Sequence, residues 1–113
     1  MYSHVEGKGA KTSTVTIDNH TYTGTGAHGE ASHAEGEQTW AIGNMSHAEG
    51  YGTTASGLHS HSEGSRTTAS DSQSHAEGGN TTASGSGSHA EGYGTTASGL
   101  GSHAEGLSAR ASN

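Results

Sequence analysis

The feature of this sequence that most constrains its fold is a phrase that returns every 14 residues. The stretch SHAEGYGTTASGLH occupies residues 46–59, and SHAEGYGTTASGLG occupies residues 88–101. A fixed period of this length is typical of repeat proteins, in which similar units stack on one another. One histidine and one glutamate stay in step through six copies of the phrase: His33, His47, His61, His75, His89 and His103, with Glu35, Glu49, Glu63, Glu77, Glu91 and Glu105.

The repeats divide the chain into a regular part and an irregular part. Full units run over residues 32–45, 46–59, 60–73, 74–87 and 88–101, and the sixth, 102–113, is two residues short. Upstream, Thr25–Gly29 matches the second half of a unit. Ser3–Gly7 matches the first half, but it begins 29 residues before Ser32, one more than two periods. We therefore expect residues 1–31 to form two irregular coils that act as a cap, and residues 32–113 to form the regular repeats. Since the last unit is incomplete, we also expect the chain to be a fragment of a larger protein.

The composition excludes several classes of protein. Only 26% of the residues are hydrophobic, which without the repeat would indicate a disordered chain. The net charge of −7, with only four lysines and arginines, argues against a nucleic-acid partner, because such proteins need basic surfaces. No apolar run is long enough to cross a membrane, so we expect no membrane contact. There is no cysteine, and therefore no disulfide framework.

The residue pattern within a unit favours two short strands over a helix. Glycine and β-branched residues oppose helix, and apolar residues do not recur at helical spacing. With serine as position 1, positions 1–5 and 8–12 predict strands, and the variable positions 6, 7, 13 and 14 predict turns. Because side chains alternate along a strand, positions 1, 3, 5, 8, 10 and 12 should face the interior. Those positions carry mostly Ser, Ala, Gly and Thr, so the predicted roll is thin. Position 10 is always alanine: Ala41, Ala55, Ala69, Ala83, Ala97 and Ala111.

Two outer faces follow from the same alternation. One carries the histidine at position 2 and the glutamate at position 4, and the other carries Thr at position 9 and Ser at position 11. At about 4.8 Å per coil, six units predict a rod of roughly 30 Å. A core of Ala, Gly, Ser and Thr buries little apolar surface, so we expect oligomerisation to supply the missing stability.

The phrase Ser-His-Ala-Glu-Gly, followed by Thr-Thr-Ala-Ser-Gly, resembles the head repeat of trimeric autotransporter adhesins, the YadA-like head. Similar arrays occur in tail-fibre-like proteins of phages and prophages. The family repeat has Ser-Val-Ala-Ile-Gly in its first strand, and residues Ala41-Ile42-Gly43 keep a fragment of that phrase. The resemblance implies a left-handed parallel β-roll that assembles as a homotrimer. It also implies that the Val and Ile positions, here the six histidines and six glutamates, face the threefold axis as a polar seam.

The function implied by this resemblance is structural. We expect an adhesive head or shaft on a cell surface or virion, located outside the cell, with a host surface or extracellular-matrix receptor as a possible partner and no enzymatic activity. Ser and His at adjacent positions point to opposite faces of a strand, which opposes a hydrolase triad.

The His/Glu face leaves more than one role open. In one interpretation, His and Glu side chains of neighbouring coils and chains pair in ladders that satisfy the seam. In another, three symmetry-related imidazoles bind Zn²⁺ or Ni²⁺ on the axis, with the six histidines as ligands and only part of the layers occupied. A bound anion or a water column is a third possibility, and no cofactor is required. Because each histidine has a glutamate neighbour, we expect folding to raise the histidine pKa above about 6.5.

The Thr/Ser face suggests a further alternative, since flat hydroxyl arrays on β-solenoids can match an ice lattice. Thr54 and Ser56 are one of its pairs, repeated in the following units. Trp40 and Ile42 replace the pair in the first unit, where we expect them to pack under the N-terminal segment as a cap.

Overall fold

The chain folds into a solenoid of two parallel sheets. The structure, a computed structural model, describes residues 26–112 and, before them, the strands His4–Glu6, Thr14–Ile17 and His20–Thr23. In this described part there are only strands, turns and bends, and no helix. The first sheet contains β1 (His4–Glu6), β5 (His33–Glu37), β7 (His47–Tyr51), β9 (His61–Ser65), β11 (His75–Gly79), β13 (His89–Tyr93) and β15 (His103–Leu107). The second contains β4 (Gly26–Ala27), β6 (Trp40–Ala41), β8 (Thr54–Ala55), β10 (Thr68–Ala69), β12 (Thr82–Ala83), β14 (Thr96–Ala97) and β16 (Arg110–Ala111).

Each coil contributes one strand to each sheet and pairs with the next coil 14 residues further on. His61 lies opposite His75, and Thr68 lies opposite Thr82. Equivalent residues therefore form straight columns along the solenoid, whose longest dimension is 34 Å. This arrangement confirms the predicted all-β parallel solenoid with 14-residue coils.

The interior consists of small side chains, as the alternation predicted. Alanines at positions 3 and 10, such as Ala76 and Ala83, have no exposed surface, and serines and threonines at positions 1 and 8 are equally buried. Position 12 is also buried where it is glycine, whereas Asp71, its occupant in the third full unit, is exposed. Residues Ala41-Ile42-Gly43 belong to the second half of their coil, where Ala41 occupies position 10. They do not form a first-strand phrase.

The prediction for position 5 was wrong, because its glycines lie at the outer edge of the first sheet. Gly50, Gly64, Gly78 and Gly92 are exposed, with φ between 105° and 112°. Side-chain alternation breaks down there because the backbone leaves the extended conformation as it approaches the corner. The column runs so close to itself that a Cβ on Gly78 would lie 2.0 Å from the carbonyl oxygen of Gly92.

The corners of each coil lie at positions 7 and 14, as the variable residues predicted. They adopt the left-handed conformation, with φ of 57° at Arg66 and 59° at Gln73, for example. Glycine occupies the same corners elsewhere, as at Gly94 and Gly101. A left-handed backbone therefore accounts for the frequent glycine at these two positions, and it is also tolerated by Asn80.

The N-terminal part contains one coil where the sequence predicted two. Strand β1 pairs directly with β5, with His4 opposite His33, and β4 pairs with β6. Between β1 and β4 lies an antiparallel pair, β2 (Thr14–Ile17) and β3 (His20–Thr23). The pairing of the described strands therefore differs from the predicted pair of irregular coils with one inserted residue, because β1 and β4 both pair with strands of the first regular unit. The division of the chain into a cap over 1–31 and regular repeats over 32–113 stays a prediction, since much of 1–25 lies outside the described residues.

Candidate functional site: a ladder of histidine and glutamate side chains

The first sheet presents the histidines and glutamates of successive coils on its outer face. In β11, His75 and Glu77 are half-buried and point outward, while Ala76 between them points into the core. The same pattern holds in β5, β7, β9 and β13, and in β15 both side chains are exposed. The structure thus places all twelve predicted seam residues in two adjacent columns on one face. Whether that face forms a trimer seam stays a prediction.

The histidine rings stack along their column. Successive ring centroids are 4.5–4.7 Å apart from His33 to His103. The rings of His47, His61, His75 and His89 are nearly parallel, with interplanar angles of 2–3°. This spacing is the separation between parallel strands, so the register of the sheet itself imposes the stack.

Each glutamate carboxylate approaches the imidazole of its own strand. The Nε2–Oε2 distance is 3.3 Å between His75 and Glu77 and 3.4 Å between His47 and Glu49. Glu77 also approaches the next coil, with its Oε1 3.9 Å from Nε2 of His89. The carboxylates therefore lie between successive imidazoles.

Four of the imidazole nitrogens that face these carboxylates lack hydrogen bonds. Within the described residues, Nε2 of His47, His61, His75 and His89 is buried and has no hydrogen-bond partner. Their contacts with the carboxylate oxygens of the same strand, at 3.3–3.6 Å, are not well-aligned hydrogen bonds, and a buried polar atom without a hydrogen bond is costly. In a single chain, the hydrogen-bonding capacity of these four nitrogen atoms is therefore unused.

The glutamates form a hydrogen-bonded ladder of their own. The Glu63 carboxyl group hydrogen-bonds to the carboxyl groups of Glu49 and Glu77, which, with burial and their negative charge, raises the pKa of Glu63 to about 7. The hydrogen bond from Glu63 lowers the pKa of Glu49, and the hydrogen bond with Glu91 contributes most to the lowered pKa of Glu77. At neutral pH Glu63 is thus about half protonated, and its proton, held between Glu49 and Glu77, limits repulsion among these three carboxylates.

The expected rise of the histidine pKa is wrong for the two central residues. Burial lowers the pKa of His61, and the neighbouring imidazoles of His75 and His47 lower it further. Burial also lowers the pKa of His75, with an additional effect of His89. The sequence-based argument considered only the glutamate partner. Loss of solvent and a positive neighbour one strand away outweigh the attraction to the carboxylates.

Several sets of three side chains could bind a metal ion. His47, Glu49 and His61 form one such set, with their ligand atoms within 4.8 Å of one another. Three more follow along the ladder: His61, Glu63 and His75; His75, Glu77 and His89; and Glu91, His103 and Glu105. The sequence predicted histidine ligands, but it did not predict that one chain would combine them with glutamate across adjacent coils.

A groove runs beside the glutamates and was not predicted. It has a volume of about 1150 Å³ and is lined by all six glutamates of the repeats and by the glycine column at position 5. The glycine at position 5 in every unit was the available signal, because an outward position without a side chain leaves a groove. The groove makes this face acidic and concave.

The opposite face carries the predicted hydroxyl array. Thr54, Thr68, Thr82 and Thr96 are half-buried and form one column. At one end Trp40 and Ile42 are buried, and the ring of His28 stacks on Trp40 at 5.6 Å. Their burial agrees with a covered end, although most of the segment expected to cover them lies outside the described residues.

The Ser-His pairs cannot act as a nucleophile and its base within one strand. Ser74 is buried in the core, whereas His75 points to the outer face. This separation was predicted from the alternation of side chains along a strand.

Comparison with known proteins identifies the repeat. The family model of the YadA head domain repeat matches two segments, residues 34–60 and 76–102. No curated protein matches the chain, and no solved structure matches it. Among the described residues, no helix is long and apolar enough to span a membrane.

The two matched segments lie in the stacked coils, and both include the His/Glu phrase and the Thr/Ser strand that follows it. Residues 34–60 and 76–102 of this protein therefore match the YadA head domain repeat, a repeat of trimeric autotransporter adhesins, and the neighbouring coils share their phrase and strand pairing.

Proposed function

We propose that the protein is a structural, adhesive β-roll, the head or shaft of a cell-surface adhesin or of a phage tail fibre. It acts outside the cell as a homotrimer of left-handed β-rolls, with the His/Glu face of each chain at the threefold axis. The YadA head repeat match is the observation that carries this proposal. This role needs no enzymatic activity. The protein would act by binding a host surface or a matrix receptor.

The chemistry of the His/Glu face supports assembly through it. In one chain this face has buried imidazole nitrogens without hydrogen bonds and an open groove along the glutamates. Two further copies of the same face would fill the groove and supply donors and acceptors at each layer. Such pairing would also fix the axial register of the three chains.

The exposed turn residues are the candidates for contact with a receptor. Tyr51, Tyr93, Leu100 and Leu107 are large side chains that remain exposed at the corners of the coils. In the proposed trimer these corners lie away from the axis, and the rigid stack would hold them at fixed spacings. Exposed tyrosines are common in binding surfaces.

Sedimentation equilibrium of the wild type and of two matched variants tests the assembly. We expect a mass three times the 11.2 kDa of one chain. Glu77→Trp should dissociate or strongly weaken the trimer, because a large ring would enter the crowded axis. Thr82→Trp should leave the trimer intact, because Trp40 already occupies this position in the first unit. A folded wild-type monomer, or dissociation by Thr82→Trp alone, contradicts the proposed seam.

Two other roles remain candidates. Metal binding by the His/Glu face is favoured by the sets of His and Glu described above. Ice binding by the column of Thr54, Thr68, Thr82 and Thr96 would rest on the regular spacing of its hydroxyls. Thermal hysteresis in the wild type that is lost in Thr82→Trp would support it, and its absence in the wild type would rule it out.

A further inference from the structure

We propose that each chain binds two divalent transition-metal ions between adjacent coils, Zn²⁺ and Ni²⁺ being suitable probes. One ion is held by His47, Glu49 and His61, and the other by His75, Glu77 and His89. Each site takes its ligands from two neighbouring coils of one chain. The inference therefore does not depend on the trimer.

The distances within each set are close to those that a metal requires. Tetrahedral Zn²⁺ binds N and O ligands at about 2.0–2.1 Å, which places neighbouring ligand atoms roughly 3.3 Å apart. His75 Nε2 and Glu77 Oε2 are already 3.3 Å apart, and Glu77 Oε1 lies 3.9 Å from His89 Nε2. The largest separation in the set is within 4.8 Å. The stacked rings of each pair, 4.5 Å apart at His75 and His89, must tilt toward each other to bring both Nε2 atoms onto one ion.

The second observation is the state of the imidazole nitrogens. Nε2 of His47, His61, His75 and His89 is buried, faces carboxylate oxygens and has no hydrogen-bond partner among the described residues. An ion between them would use these nitrogens as ligands and would neutralise the carboxylate beside them. Imidazole with carboxylate is a ligand combination suited to Zn²⁺, Ni²⁺ and related ions.

The repeat allows more sets than can be filled at once. The set His61, Glu63 and His75 shares one histidine with each of the two proposed sites. A single Nε2 lone pair binds one ion, so occupation of this middle set would empty both neighbours. Ions in adjacent sets would also lie only about 4.8 Å apart, whereas ions in alternate sets lie about twice that distance apart and repel less. Two ions per chain is therefore the favoured arrangement.

The fourth set is expected to bind more weakly. Glu91, His103 and Glu105 include a single imidazole, and His103 and Glu105 are exposed. An ion there should be lost on gel filtration. The count of tightly bound ions then reports the two sites with two histidines each.

The test is the number of ions retained per chain, measured on protein made without a histidine tag. The protein is treated with chelator, loaded with Zn²⁺, passed through gel filtration and analysed for zinc. We expect two ions in the wild type and one in Glu49→Gln or Glu77→Gln, because each removes one proposed site. Glu63→Gln should retain two, since it removes only the middle set, and Glu37→Gln, at position 6 outside the ladder, is the charge-matched control. Circular dichroism checks that each variant is folded.

Each alternative gives a different pattern. Failure of the folded wild type to retain zinc would refute the sites. A count unchanged by all three substitutions would assign binding to histidines alone, as on a threefold axis. Loss of one ion in Glu63→Gln would show that the sets do not alternate. Sedimentation measured on the same samples separates failure of the metal sites from failure of the trimer.

Discussion

At the scale of single residues, the glycines at position 5 are required for two reasons. The glycines at position 5 have φ near 110°, a conformation that side chains disfavour, and they also pass within contact distance of the next coil. The two demands are separable because Gly106, in the last coil, has φ of 112° but no atom within 4 Å of its Cβ position. The last coil therefore provides an internal control for backbone strain without a clash.

Gly78→Ala should destabilise the protein much more than Gly106→Ala. Both substitutions impose backbone strain of about 1–3 kcal/mol. In Gly78→Ala the new methyl group would also lie 2.0 Å from the Gly92 carbonyl oxygen, so the strands must separate locally. Melting temperatures followed by circular dichroism check this. Equal losses would show that strain alone, and not close approach of the coils, selects glycine.

The shared proton of the glutamate ladder predicts a pH dependence. The pKa of Glu63 rises from 4.5 in the unfolded chain to about 7 on folding. Its stabilising effect is therefore complete below 4.5 and is lost as the pH rises through about 7. The pKa values of His61 and His75 are lowered from 6.5, so their stabilising effect is present above 6.5 and is lost as the pH falls through the folded pKa. The lowered pKa values of Glu49 and Glu77 add stabilisation that is present above 4.5, so stability should be highest near pH 6.5.

Glu63→Gln should flatten the alkaline side of this profile. The glutamine amide stays a hydrogen-bond donor to Glu49 and Glu77 at all pH values, as the protonated carboxyl group is below pH 7. The matched control is Glu37→Gln, which changes the charge equally but lies at position 6, beside the corner and outside the ladder. Melting temperatures from pH 4.5 to 8.5 with chelator are the measurement, because the contribution of Glu63 changes between pH 4.5 and about 7. An identical fall in Glu63→Gln and wild type would contradict the shared proton.

At the scale of the coil, the interior is too thin to accept a larger side chain. In most coils the five-residue strand and the two-residue strand each point one alanine into the interior. Fully buried threonines fill the remaining space. Ser62, which replaces alanine in the third full unit, is accommodated because its hydroxyl hydrogen-bonds at 2.7 Å to the hydroxyl of Thr67. Even one added oxygen therefore has a specific partner.

Ala83→Leu should prevent folding or destabilise it strongly, whereas Ser86→Leu should be tolerated. Ala83 is completely buried, and overpacking costs about 1–3 kcal/mol or more. Ser86 lies at a variable turn position where Leu58 and Leu100 occur in other units and remain exposed. Thermal melts of the two variants provide the comparison. Similar melting temperatures would refute the assignment of inner and outer positions.

At the scale of the whole molecule, stacking in register converts a sequence period into continuous columns. Imidazoles, carboxyls, glycines and hydroxyls each form a separate column, so every interaction between coils is repeated along the axis. This repetition gives a stiff rod from small side chains, and it also concentrates negative charge on one face. Assembly and ion binding, as proposed above, are two ways to balance that charge.

The sequence by itself determined the solenoid, its period and its inner and outer faces. Identical units must meet identical neighbours, and alternation along a strand then places Ala76 inside and His75 and Glu77 outside. Only the tertiary structure decided the features that depend on distances between coils. The position-5 glycines turn outward because the backbone there leaves the extended conformation. The pKa of His75 falls because its ring is buried beside another imidazole one strand away. Strand β1 pairs with the first regular coil because the antiparallel pair of β2 and β3, which the 14-residue period does not reveal, lies in the chain between β1 and β4.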